Sequence, residues 1–392
     1  MTEAQLAELS RTLYAPVTLA VFTLGMTLYL YAMAFGHVER DEDAVAKGRR
    51  ARVAATIVTV AGVGTLVAHI VTRVMAANRL PLGNMFEFST IIALTVVVAG
   101  LLVFQWRLGR PEVMGFLLLG AVLTMAGAML VYTEPGPLMP ILGSWWRGIH
   151  VSAIVFAAGI FTVGFVFTSL YLLRDTAERR LAARRPDQFA GSTVGAAYVG
   201  DVAEAPEEPV DVVPERAAPD ADMSVGAVED HRTALRGTIS PLWLGGGTWV
   251  VTAALSWVFW VDAGDPRRFL VTNTVMATAA LMAWWFVPYL PDAATLDSFA
   301  YRTIAFGFPI WTFAVISGAI WAEQSWGRYW GWDPKETSAF LTWVAYAGYL
   351  HARATRGMRG RNAAYLGLGA YAVLMFTYYV VNLVVVGLHS YA

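Results

Sequence analysis

Ten apolar runs decide what this chain can fold into. They lie near 14–36, 52–76, 86–106, 113–132, 149–173, 241–260, 269–290, 302–321, 337–352 and 363–388. A helix needs about 20 apolar residues to cross the hydrocarbon of a bilayer. There every backbone N–H and C=O must find its partner within the protein, a condition that helices meet. Only 15% of the 392 residues are charged and 57% are hydrophobic, whereas a soluble domain carries about 25% charged residues. The expectation is an all-α integral membrane protein, a polytopic helix bundle of about eight core spans plus an extra hairpin, ten in total. The first run is too long for the apolar region of a signal peptide and has no basic segment before it, so it reads as a retained helix. The 337–352 run is short, and Gly245–Gly247 and Pro288 interrupt the pair at 241–290.

Composition shifts divide the chain into four parts. Residues 1–173 form a membrane bundle of about five spans. Residues 174–240 read as an acidic, mostly disordered linker, because 186–231 hold eleven acids against the single base Arg216 and lack the apolar content of a core. Residues 241–290 read as an inserted transmembrane hairpin, and 291–392 as a region of three spans. Ten spans leave both termini on one side. If the loops 37–52, 107–112, 174–240, 291–302 and 353–362 face the cytoplasm, they hold 20 of the 28 basic residues, as the positive-inside rule requires. The segment between the eighth and ninth runs then lies outside.

Several function classes fall away. A net charge of −1 gives no bulk attraction to nucleic acid, and the absence of cysteine rules out disulfides and thiol chemistry by the chain itself. No G-x-S-x-G, phosphate-binding G-x-x-x-x-G-K-[ST] or H-E-x-x-H is present. Charged residues inside the spans are too few for an ion relay, which argues against an ion-driven transporter.

The outer segment Trp326-Gly-Arg-Tyr-Trp330-Gly-Trp332-Asp333-Pro334-Lys335-Glu336 sets three indoles beside Arg328 and Lys335. Rigid aromatic faces with cations suit a large flat ligand bearing carboxylates. Equally, Trp and Tyr gather at bilayer interfaces as a belt. Asp333 before Pro334 is a strong helix start and is expected to shape the loop as a cap. His150, which follows Trp145, Trp146 and Arg147, opens the fifth run at the same outer depth, and His389 closes the tenth. Two imidazoles at one depth over an aromatic and cationic floor are what six-coordinate haem iron requires. The alternative is two histidines resting among headgroups. His351 ends the ninth run near the inner face, about 21 Å along the helix from the tryptophan-rich segment. His37 shares that inner depth. His69 and Arg73 share one helix face. The Arg79–Phe88 stretch, with Pro81 and Gly83, reads as a capped turn or as a wall of the same external cavity.

The order of residues adds more. The run from Trp321 to His351, the signature W-G-x-x-W-x-W-D-P-K-E-T from Trp326 to Thr337, Tyr301-Arg302 with Gly307-Phe308-Pro309, the Pro81-Leu82-Gly83-Asn84 turn and the ending Gly387-Leu388-His389-Ser390-Tyr391-Ala392 resemble the CcsA/ResC family. These are haem-handling membrane proteins of the System II route of cytochrome c maturation. The likeness is loose over 50–173 and strong over 296–392. Two departures stand out: the family usually shows eight spans, and residues 174–300 form a long insertion.

The resemblance implies that His150 and His389 are external haem ligands, and that His351 is a membrane-embedded ligand for haem on its way outward. The mate of His351 generally comes from a ResB-type membrane subunit. It also implies a multi-pass protein of the cell membrane whose haem site faces outward. The protein would take haem b and join it through thioether bonds to Cys-x-x-Cys-His of apocytochrome c, with a thioredoxin-like protein reducing the substrate thiols. Trp326, Trp330, Trp332 and Asp333 would form the reaction surface, and Trp145, Trp146, Arg147, Arg328 and Lys335 would hold the ligand. A haem exporter with no part in bond formation would carry the same motifs.

Overall fold

The computed structural model describes residues 1–35, 42–138, 140–184, 225–260 and 264–387. Every regular element among them is helical. In chain order these are α1 (Glu3–Phe35), α2 (Asp43–Ala77), α3 (Met85–Arg107), α4 (Pro111–Leu130) and α5 (Trp145–Arg184), then α6 (Val225–Arg236), α7 (Pro241–Trp260) and α8 (Pro266–Trp285). They continue with α9 (Ala293–Trp326), α10 (Pro334–Thr355) and α11 (Gly360–Val381).

Among the described residues α1 to α5, α9 and α11 are long and apolar enough to cross a bilayer. The chain is a polytopic helical membrane protein. The other three expected spans are also helices: α7, α8, which opens on Pro266-Arg267-Arg268, and α10, which carries Lys335, Glu336, His351 and Arg353.

Helix ends differ from the apolar runs wherever polar side chains extend or cap them. The first helix begins at Glu3, not near 14, because Thr2 and Gln5 form a reciprocal capping box. Pro16 then sits in a π-helical stretch, Leu13–Thr18, that absorbs its missing N–H. The fifth helix runs on to Arg184 instead of stopping at 173. Ion pairs of Arg174 with Glu178 at 2.6 Å and Arg179 with Asp175 at 2.9 Å, each one turn apart, support the extension. The start of the expected linker is therefore helical, as is its end at α6, which contains His231. Residues 185–224, His37 and His389 lie outside the described residues.

Two apolar cores hold the bundle. One joins α1 to α5 through residues such as Phe22, Phe86, Leu117 and Phe167. The other joins α3, α5, α9, α10 and α11 through Met85, Val155, Phe161, Trp311, Tyr346 and Tyr378. In the second, Phe161 stacks on Tyr346 with centroids 3.8 Å apart, a fit that Gly307 permits: a Cβ there would lie 2.9 Å from the Phe161 ring. The Trp311 indole N–H donates to the Ala339 carbonyl at 3.2 Å and that of Trp343 to the Thr312 hydroxyl at 2.9 Å, fastening α9 to α10. The hydroxyls of Ser89 and Tyr378 meet at 2.8 Å and fasten α3 to α11.

Candidate functional site

Above this second core the helices diverge into an open cavity of about 1320 Å³ of empty volume, its mouth included. Met85, Val155, Trp311 and Tyr378 line both core and cavity. The ionisable lining is sparse: Arg147 and His150 from α5, and Lys335 and Glu336 from α10, with Asn84, Thr377 and Asn382 as neutral polar neighbours.

His150 is fixed by the neighbouring helix. Its Nδ1 lies 2.7 Å from the Ala314 carbonyl of α9, and its ring lies near-parallel to Trp321 with centroids 6.0 Å apart. A carbonyl only accepts, so Nδ1 carries the proton and the lone pair sits on Nε2, the tautomer of a metal ligand. Among the described residues no three of His, Asp, Glu and Cys gather as a metal-binding cluster.

Arg147 is 7% exposed. It donates from Nε to the Leu142 carbonyl and from Nη1 to the Leu82 carbonyl at 2.7 Å. Its charge thus rests on neutral acceptors at the cavity wall, where a carboxylate would be favoured. The Leu82–Met85 turn that it holds forms part of the same wall. Asn84 caps α3, accepting from the Glu87 N–H at 3.0 Å. The buried Glu87 carboxylate takes Arg73 Nε at 2.7 Å, Arg79 Nη1 at 2.8 Å and the Gly83 N–H at 2.7 Å.

On the opposite wall Gly327, in the left-handed region at φ 70°, ends α9. Asp333 then caps α10, with Pro334 in the first turn and Glu336 completing a capping box. Asp333 is buried and shapes the turn, as its place before proline predicts. The Glu336 Oε2 accepts the N–H groups of Gly331 at 2.7 Å and Asp333 at 3.2 Å. Among the described residues its Oε1 is buried with no hydrogen-bond partner. Burial pushes the Lys335 ammonium below its ordinary range, with Asp333 opposing.

Of the residues singled out from sequence, His150, Arg147, Trp330 and Lys335 meet in the cavity, and Trp326, Trp332, Asp333, Trp145, Trp146, Arg328 and His351 do not line it. Trp326 backs Trp321 at 5.2 Å, and Trp332 packs edge-on against Trp330 at 5.8 Å while 68% exposed. Trp145 is 77% exposed, Trp146 is half-buried and Arg328 is exposed. His351 is exposed at the far end of α10. His69 is fully buried, its Nδ1 2.8 Å from the Ser10 carbonyl, away from this cavity. Sequence reasoning missed Trp321, Tyr329, Glu336 and Gly318 as lining residues. Trp321, Tyr329 and Glu336 belong to the tryptophan-rich stretch, whereas Gly318 carries no sequence signal.

Known proteins point the same way. The family described as "Cytochrome C assembly protein" matches residues 12–389. A "Cytochrome c biogenesis protein CcsA" of Rippkaea orientalis is 31% identical over 327 residues, covering 82% of each chain. Its counterpart in Microcystis aeruginosa is 30% identical over 326 residues, covering 81% of each. That of Heterosigma akashiwo is 53% identical over 97 residues, 25% of this chain and 30% of the relative. The chain belongs to the cytochrome c assembly protein family, as a multi-pass membrane protein of cytochrome c maturation.

Proposed function

We propose that this chain is the membrane subunit of a cytochrome c synthase of the System II type. It moves haem b to the extracytoplasmic face of the cell membrane and presents it for thioether attachment to Cys-x-x-Cys-His of apocytochrome c. The observation that carries the reading is His150, held as the Nε2-presenting tautomer, in a largely apolar cavity that also receives Arg147, Lys335 and Trp330. The residues fit the substrate: one imidazole for iron, two cations for carboxylates and aromatic faces for a flat ring.

Haem is the substrate here. In the product each cysteine sulfur is bonded to a former vinyl carbon, and the thiol hydrogen rests on the adjacent carbon. The addition therefore needs no outside oxidant or reductant. What the chain supplies is position. His150 and His389 would hold the iron, and Arg147 and Lys335 its carboxylates. Trp330 and Tyr329 cover the ring and exclude water, leaving an edge where two thiols can approach, so that proximity does most of the work. Asp333 and Glu336 act by shaping the turn. The exposed Trp332 and Trp145, with Trp146, Trp326 and Arg328, form the rim that meets apocytochrome c. His351 holds haem earlier, at the inner face, with a mate from a ResB-type subunit. Having no cysteine, the chain depends on a thioredoxin-like protein to keep the substrate thiols reduced. In this reading residues 291–392 handle haem against the 1–173 bundle, and 174–240 and 241–290 are an inserted linker and hairpin.

The test is spectroscopic. The chain is purified with its ResB-type partner, and oxidised and reduced spectra are recorded for wild type and for His150→Ala, His389→Ala and His351→Ala. The expected result is bis-imidazole haem in wild type, lost in the two outer variants and restored by free imidazole. Haem indifferent to all three histidines would overturn the reading. Haem delivered without any requirement for the chain in thioether formation would leave an exporter.

A further inference from the structure

One glycine of α9 stands directly against the histidine of the cavity. A Cβ built on Gly318 would lie 2.6 Å from His150 Nδ1, 2.7 Å from its Cε1 and 3.4 Å from its Cγ. Real Cβ atoms do not approach this closely, so any side chain at 318 displaces the imidazole. Ala314, whose carbonyl holds Nδ1 at 2.7 Å, lies one turn earlier on the same helix. That carbonyl also accepts the Ser317 hydroxyl at 3.0 Å, on a face where Ala314 and Ser317 are fully buried. Gly318 itself lines the cavity beside Trp321.

We propose that Gly318 is a positioning residue for His150. Its missing side chain opens the seat in which the imidazole reaches the Ala314 carbonyl. That hydrogen bond fixes the Nδ1–H tautomer and turns Nε2 toward the cavity. The assignment of Nε2 as a haem ligand rests on the function proposed above; the seating of the ring does not. Outer partners that orient a metal-bound histidine are typically worth about 10- to 100-fold in affinity. A displaced ring loses both its orientation and its preferred tautomer. The glycine is otherwise a poor choice for a helix interior, where alanine is the better helix former. Helix propensity alone therefore favours Gly318→Ala, and any cost of that change reports the clash with the ring it displaces.

The test uses the full chain with its partner subunit and two independent readouts. In haem-free protein labelled with ¹⁵N-histidine, wild-type His150, assigned by its loss in His150→Ala, should show the Nδ1–H tautomer. Gly318→Ala should shift it toward a mixture, with any fall in melting temperature disappearing when the same change is made in His150→Ala. An unchanged His150 signal in Gly318→Ala overturns the inference. With haem, Gly318→Ala should bind about 10- to 100-fold more weakly and lose its bis-imidazole spectrum, with free imidazole restoring it. The double variant Gly318→Ala/His150→Ala should bind no worse than His150→Ala alone, and a further drop would mean that Gly318 acts elsewhere. A shifted tautomer with haem binding that ignores His150 would instead overturn the ligand reading and leave the seating intact.

Discussion

The two facing walls of the cavity are built on the same local plan and end with different properties. Each is a turn leading into a helix, with a cap followed three residues later by an acid: Asn84 and Glu87 before α3, Asp333 and Glu336 before α10. In each the acid's Oε2 accepts a backbone N–H from the turn at 2.7 Å, from Gly83 and from Gly331. Beyond that they diverge. Arg73 and Arg79 saturate Glu87 in a site where the Arg73 and Glu87 side chains are 1% and 0% exposed. Among the described residues Glu336 has no such cations, and each wall keeps one buried polar atom without a hydrogen-bond partner, Arg73 Nη1 on the first and Glu336 Oε1 on the second. Around it Tyr329 is 63% exposed, and Trp332 is held at φ 57°, in the left-handed region. One wall is finished by ion pairs within the fold. The other has a carboxylate without such pairs and a strained residue beside it, which is where binding work is expected.

Breaking the finished wall should cost most. Glu87→Ala leaves two arginines sharing no carboxylate, one of them fully buried. Removing one partner from a buried pair destabilises by about 3–5 kcal/mol. Thermal unfolding in detergent should show a large drop in midpoint, with haem binding lost as a consequence. On the other wall, Asp333→Ala removes a cap worth about 1 kcal/mol. The expected outcome is a small drop in midpoint and a clear loss of haem retention, because the turn bearing Trp330 and Lys335 loosens. Full haem loading in Asp333→Ala would remove Asp333 from the site altogether.

The comparison also shows what a sequence like this can and cannot disclose. The helices are written in the apolar runs, and His150, Arg147, Trp330 and Lys335 are legible because histidines and charges are rare enough to weigh one by one. Which tryptophan faces inward is not legible. Trp145 and Trp146 are neighbours, yet one is 77% exposed and the other half-buried, a matter of helix phase. Spans that are apolar on every side offer no polar face from which to read that phase. Gly318 is invisible for a related reason: its role exists only because α5 and α9 pack together, 168 positions apart at His150.

Trp332 offers a finer probe of the strained wall. Glycine adopts positive φ freely, and a non-glycine residue held there carries of order 1 kcal/mol or more of strain. Trp332→Gly should therefore match or exceed wild type in thermal stability while losing cytochrome c maturation, if the indole meets substrate. A variant with normal maturation would make Trp332 part of an interfacial belt only.

The smallest expected effect is electrostatic and depends on pH. Lys335 is pushed below its ordinary range by burial at the cavity wall. Its cationic form is the one that holds a carboxylate, so its contribution is complete at neutral pH and is lost as pH rises through its lowered value. Haem retention in wild type should weaken on the alkaline side earlier than an ordinary lysine would allow. Lys335→Arg should extend retention to higher pH, because a guanidinium stays charged. Lys335→Gln should flatten the profile at a level lower by up to about fivefold, the range of a partly exposed pair worth at most about 1 kcal/mol. An alkaline limb unchanged in both variants would take Lys335 out of carboxylate binding and leave Arg147, whose charge does not titrate in this range, as the cation of the site.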